Sequence, residues 1–274
     1  MIPDLTIKSA CITGALFFAL LLPIESRADS LQPVSRQFEA GVSMLRFNYT
    51  EYNSSGNSCI GSVCDRELGG MPGLSFRFAK RESGWEVDAS ASYHRGQVGY
   101  NGQLNSGAPY STRTNETISD VSLRLGHWLE SAIPIMPYAG IGLRHWYRAI
   151  QSSNGIPGLN ETYDWAYFWA GAAFAVSQHP ASALILDIGW LRPLDPSLQV
   201  GSQVNLKPVS RDGMRLMLSA RMHLAEQLAL TVEPYYEYWE LGRSPSVISG
   251  PYSYYEPDSK TRNLGLNLRL GVDF

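Results

Sequence analysis

The sequence predicts an all-β chain: a single closed antiparallel transmembrane up-and-down β-barrel of about ten strands, after an N-terminal signal peptide. Three observations predict it. From residue 36 onward, apolar and polar residues alternate with period two, which marks strands whose two faces meet different surroundings. The connections between these segments are by turns short and long down the chain, as in a meander with unlike ends. No stretch after residue 24 approaches the 18 or so apolar residues that a membrane helix needs, so any crossing of a bilayer falls to strands.

The elements follow in order. Residues 1–28 carry Lys8, an apolar run over 10–24 broken by Pro23, and then Ser26-Arg27-Ala28, whose small residues suit signal peptidase. Cleavage after Ala28 leaves residues 29–274 as one exported barrel domain. Alternation then recurs near 36–50, 71–80, 85–98, 117–130, 135–150, 163–177, 183–193, 212–224, 228–241 and 262–274. Short links fall at 81–84, 131–134, 179–182 and 225–227; long ones fall near 51–70, 99–116, 151–162, 194–211 and 242–261 and collect Gly, Pro, Ser, Asn and Tyr. Cys11 leaves with the signal, and Cys59 and Cys64 remain in the first long connection. A close pair in an oxidising compartment reads as a disulfide, and no third ligand nearby completes a metal site.

Alternation alone does not separate a barrel that is apolar inside from one that is apolar outside. Charge type does. Of 22 basic residues, 18 are Arg, and of the four Lys, Lys8, Lys207 and Lys260 lie outside the strands as drawn and Lys80 at the last position of one. A solvated outer face would use Lys freely. The strand charges are Arg77, Arg124, Arg144, Arg148, Arg215, Arg221 and Arg269 against Glu39, Glu86, Asp88, Asp187, Glu233, Glu237 and Asp273. Seven of each sign suit guanidinium forks paired with carboxylates in an enclosed lumen. The other face offers Val121, Leu123 and Leu125, or Leu186, Ile188 and Trp190, which suits lipid. Aromatics toward the strand ends (Trp85, Tyr93, Trp128, Tyr138, Trp146, Tyr147, Trp165, Tyr167, Trp169, Trp190, Tyr236, Tyr238 and Trp239) read as interfacial girdles.

The last segment is the cleanest. Leu264, Leu266, Leu268, Leu270, Val272 and Phe274 share one face, and Asn263, Asn267, Arg269 and Asp273 the other. With this strand the chain resembles the outer-membrane β-barrel proteins of Gram-negative bacteria over 36–274. The resemblance implies an outer-membrane location among lipid and lipopolysaccharide. It also implies that Phe274 is an assembly signal read by the barrel-assembly machinery, and that the long connections face outward from the cell.

Function is bounded more than fixed. A net charge of −3 with no basic, aromatic-interleaved run excludes a nucleic-acid footprint. About ten strands leave an interior near the limit that side chains fill, so ion-paired layers plug it. Omptin-type proteases resemble the chain in strand count, but their Asp-x-His and paired-Asp elements are absent. The His-x-Ser pair of barrel lipid A deacylases is absent too: two residues beyond His94, His127, His145, His179 and His223 stand Gly96, Leu129, Tyr147, Ala181 and Ala225. No catalytic residue, cofactor or metal is assigned, and an enzyme is not expected. The leading reading is a structural or surface-interaction, adhesin-like role through the long outer loops, where Tyr252, Tyr254 and Tyr255 offer rigid contact area to an unidentified surface ligand. A narrow selective porin-like channel, and third a hydrolase with an unrecognised site, stand as alternatives.

Overall fold

The computed structural model describes residues 36–52, 59–104, 106–179 and 181–274. The signal peptide read at 1–28 lies outside them. Ten long strands form the wall: β1 Arg36–Tyr52, β2 Val63–Glu82, β3 Trp85–Gln103, β4 Pro109–His127, β5 Ile135–Ile150, β6 Leu159–His179, β7 Ser182–Val200, β8 Gly213–His223, β9 Leu228–Gly242 and β10 Asp258–Asp273. Each pairs antiparallel with its neighbours in the chain, and β10 returns to β1, with Gln37 opposite Asp273 and Tyr52 opposite Asp258. The Phe274 N–H donates to the Arg36 carbonyl at 3.0 Å, finishing the seam. Closure leaves no open sheet edge for lipid to meet, the condition under which strands cross a bilayer. The described residues contain no helix.

The tightest link is the two-residue turn Ser83-Gly84, where both residues have positive φ (51° and 81°), the twist a two-residue hairpin requires. At the other end the expected long connections are mostly strand. β2 already starts at Val63, β3 runs to Gln103, β6 starts at Leu159 and β7 runs to Val200. The 21 residues of β6 amount to roughly 70 Å of strand, whereas about 9–11 residues cross a bilayer. The hydrogen-bonded ladder therefore continues far past the apolar band. There neither face needs to be apolar, so the sequence alternation fades while the strands go on. Residues 204–206 and 209–210 extend the wall beside β7 and β9, and a small hairpin pairs Val247–Ser249 with Tyr252–Tyr254.

The wall is inside out relative to a soluble barrel. Ile141 and Leu143 on β5 are 61% and 64% exposed, and Val121, Leu123, Leu268, Leu270 and Val272 are exposed likewise, while Glu39, Asp88, Arg124, Arg144 and Arg269 are buried. Above this band the outer face turns polar at Arg46, Arg66, Arg95, His145, Asp164 and Arg262, all exposed.

The aromatic girdle is corrected. Trp128, Tyr138, Trp146, Trp165, Tyr167, Trp169 and Trp239 are buried in the interior. Only Trp85, Tyr93 and Trp190 stand exposed on the outside, with Tyr147, Tyr236 and Tyr238 half-buried. The inward rings pack over guanidinium groups, Arg144 4.5 Å above Trp239 and Arg124 4.9 Å above Tyr138. Cation–π contact makes a charged lumen a good environment for them.

Candidate functional site

All fourteen charges singled out in the sequence point into the lumen, where they sort into layers. Nearest the short-turn end, Arg221 meets Asp273 at 2.7 Å, and Arg269 bridges Glu39 at 2.9 Å and Glu233 at 3.0 Å. In the next layer Arg77 pairs with Asp88, Arg124 with Asp187, and Glu86 takes Arg81 at 2.7 Å and the Trp128 indole N–H at 2.9 Å. Further up, Glu237 accepts a two-bond fork from Arg144 at 2.8 and 3.0 Å and a bond from Arg215 at 2.6 Å, while Arg144 Nε reaches Asp120 at 2.9 Å. Such forks give geometric specificity and satisfy buried charge. The gaps left are small: two interior cavities of about 110 Å³ each. Beside one of them, lined in part by His94 and Asn267, the Ser43 hydroxyl bonds His94 Nε2 at 2.8 Å and donates to Asn267 at 2.6 Å. Ion pairs and aromatic side chains thus occupy much of this part of the lumen.

Arg148 stands apart from these layers, above the apolar band. Cross-strand register puts it between Glu116 on β4 and Glu161 on β6, and closure of the barrel delivers carboxylates from the opposite wall. Its guanidinium lies 2.6 Å from Glu161, 3.0 Å from Glu67, 3.4 Å from Glu51, 3.5 Å from Asp65 and 3.9 Å from Glu116, with its flat face 4.5 Å from the Tyr49 ring. A sixth carboxylate, Glu256, accepts hydrogen bonds from Tyr163 at 2.7 Å and Tyr49 at 3.1 Å. Thr114 donates to Glu67 at 2.7 Å, and the Trp146 indole to Glu116.

One guanidinium does not neutralise six carboxylates. Burial pushes Glu161 up to about 7 against the pull of Arg148, and burial together with neighbouring acids lifts Asp65, Glu116 and Glu256 well above the ordinary carboxylate range. Glu67 goes the other way: against burial, Arg148 and hydrogen bonds from Glu116, Thr114 and Arg148 hold it low. The two neighbouring carboxyls are thus driven in opposite directions, Glu116 up by burial and the adjacent Glu67, and Glu67 down by Arg148. Asp65 Oδ1, on a residue only 4% exposed, meets no donor among the described residues.

Above the cluster opens a cavity of about 680 Å³. Glu51, Asp65, Arg148, Glu161 and Glu256 form its floor, and Tyr100, Tyr252, Tyr254 and Tyr255 stand in its walls with the Cys59–Cys64 disulfide. Tyr252 and Tyr254 meet edge to face at 6.3 Å, and Arg243 lies 4.3 Å over Tyr255. The balance of seven against seven read from the sequence therefore fails at the mouth. Glu51, Asp65, Glu67, Glu116, Glu161 and Glu256 lie beyond the clear alternation and went unassigned; Arg144 and Arg148, the two interior arginines without an assigned acid on a neighbouring strand, were the available signal. No group of three His, Cys, Asp or Glu among the described residues is arranged to hold a metal ion. Phe274, 57% exposed, lies outside on the lipid face with Leu270 and Val272.

No protein-family description matches the sequence, and no curated protein is similar to it. Its fold is nonetheless shared by solved structures. The outer membrane protease OmpT from Escherichia coli superimposes with a TM-score of 0.57 at 10% identity, covering 91% of this chain and 100% of that one. Looser likenesses are the outer membrane protein OprG from Pseudomonas aeruginosa (TM-score 0.42, 13% identity, 87% and 95% covered) and Neisserial surface protein A (0.34, 10%, 88% and 97% covered). At these identities the likeness is one of fold: a closed ten-stranded antiparallel barrel of the Gram-negative outer-membrane kind.

Proposed function

We propose that the protein is a surface-interaction barrel of the outer membrane that captures cationic ligands in the acidic chamber at its outer mouth. One observation carries this: five carboxylates converge on a single arginine, with Glu256 held beside them by two tyrosines, beneath an open, tyrosine-walled cavity, while ion pairs occupy the lumen below. Carboxylates with aromatic faces suit a guanidinium or ammonium group, which gains both charge pairing and cation–π contact. A plugged lumen argues against the channel reading, since an ion would have to displace the Arg144–Glu237–Arg215 layer. In this reading residues 1–28 direct export, Phe274 is offered to the barrel-assembly machinery, lipid and lipopolysaccharide surround the band, and the mouth faces outward.

The test is calorimetric titration of refolded protein with a tetra-arginine peptide and a tetra-glutamine peptide. Selective binding of the first at pH 8.5, where Glu161 is ionised, weakened at least about tenfold by Glu51→Gln with Glu161→Gln and by raised salt, is expected. Equal binding of both peptides, or no effect of the double variant, sinks the reading.

A further inference from the structure

On the outer wall, where the apolar band gives way to polar residues, three adjacent strands present one straight row. Ser119 on β4 stands directly opposite His145 on β5, and His145 directly opposite Asp164 on β6. All three side chains point outward, on the alternate positions that also carry Val121, Leu143 and Phe168 just below. His145 Nδ1 lies 2.7 Å from Asp164 Oδ1, and both side chains are about half exposed (51% and 57%). That bond fixes the ring and leaves Nε2 for the β4 side. Directly opposed residues have Cβ atoms about 4.5–5.5 Å apart, which sets the Ser119 side chain beside the imidazole. Ser119 has no hydrogen-bonding side-chain partner among the described residues. Tyr93 flanks it on β3, and Arg95, exposed and two residues further along that strand, is its diagonal neighbour.

We infer that Ser119, His145 and Asp164 form a hydrolytic triad that cleaves acyl esters of phosphate-bearing lipids. The order of roles is that of nucleophile, base and orienting acid, and the row sits where acyl chains along Val121, Leu143 and Phe168 would place their ester carbonyls. His145 takes the Ser119 proton as Oγ attacks the carbonyl carbon. The C–O bond to the lipid alcohol then breaks, and His145 returns the proton to the departing oxygen, leaving the acyl group on Ser119. Water, deprotonated by His145, attacks that ester; Ser119 recovers its proton and a fatty acid leaves. Asp164 is the positioning residue, holding the imidazole in the tautomer that the first step requires. Arg95 meets the lipid phosphate and draws the substrate to the row. This activity is independent of the mouth chamber, which lies on the inner face of the same strands.

The test uses the full barrel, refolded and shown folded by heat-modifiable gel mobility, with vesicles of phosphatidylglycerol and, separately, purified lipopolysaccharide. Fatty-acid release is read by mass spectrometry, and a long-chain fluorophosphonate reports the nucleophile. Release from one of the two identifies the lipid source, with labelling at Ser119. Ser119→Ala should abolish both signals, and His145→Asn should lower release at least about 100-fold. Asp164→Asn should lower it and also shift its pH profile, which loss of mere structure does not do. Arg95→Gln should raise KM more than it lowers kcat. Folded protein that neither releases fatty acid from either lipid nor takes the label overturns the inference, as does release undiminished in Ser119→Ala.

Discussion

Arg148 and Glu161 face each other across β5 and β6 with 2.6 Å between guanidinium and carboxylate, and the same guanidinium also lies within 3.9 Å of Glu51, Asp65, Glu67 and Glu116. Arg148 is completely buried. Its removal leaves carboxylates with no counter-charge, and breaking a buried pair from one side costs about 3–5 kcal/mol. Arg148→Gln should lower unfolding stability by about that amount at pH 8, and acid should restore much of it by protonating the cluster. Urea unfolding followed by tryptophan fluorescence at pH 5 and pH 8 checks this; a loss equal at both pH values would count against Arg148 as their counter-charge.

The pH dependence has a definite sign. Glu161 titrates at about 7 in the folded barrel, above its ordinary value, with burial as the leading cause. A raised carboxyl contributes stability that is fully present below the unfolded value and is lost as pH rises through the folded one. Stability should therefore fall between roughly pH 5 and 8, and Glu161→Gln should flatten that slope. Over the same range the chamber gains negative charge, so affinity for the arginine peptide should rise. Thermal midpoints and titrations at pH 5.5 and 8.5 measure both, and a rising stability would contradict the assignment.

Planar-bilayer recordings should show no steady unitary conductance from folded wild-type protein. The layer of Arg144, Arg215 and Glu237, joined by bonds of 2.6–3.0 Å, is only one of three, so replacing all three residues by Ala should leave the barrel silent while the layers of Arg124 with Asp187 and of Arg269 with Glu233 stay in place. Steps in the wild type would favour the channel reading instead.

Phe274 contacts the barrel through its backbone, which donates to Arg36, while its ring lies exposed. Deleting it should leave refolding in detergent within about 0.5 kcal/mol of wild type, as for surface changes generally. In cells the same deletion should lower the amount of assembled barrel several-fold. Heat-modifiable mobility of both preparations separates these effects, and an equal defect in each would make Phe274 a folding residue rather than a signal.

Much of the architecture was readable because it is local. Alternation of Leu264, Leu266, Leu268, Leu270 and Val272 against Asn267, Arg269 and Asp273 names a strand and both of its faces from a dozen residues. Less was readable where the outer face is no longer in lipid, since β2 and β6 continue through Gly-, Asn- and Thr-containing stretches with no apolar rhythm. Aromatics misled because Trp165, Tyr167 and Trp169 serve equally well beside arginine inside or at a membrane interface outside. Searching for short motifs missed Ser119, His145 and Asp164 because their neighbourhood runs across the strands, not along them.

The sequence by itself determined the ten strands, their antiparallel order, the charged face and the lipid face, since period two and short hairpins are properties of consecutive residues. Only the tertiary structure decided which charges meet. Glu51 and Glu67 reach Arg148 because β10 closes on β1, and Ser119 stands beside His145 because register fixes the offset between β4 and β5. Closure and register are set by hydrogen bonds between distant segments, so no window of sequence contains them.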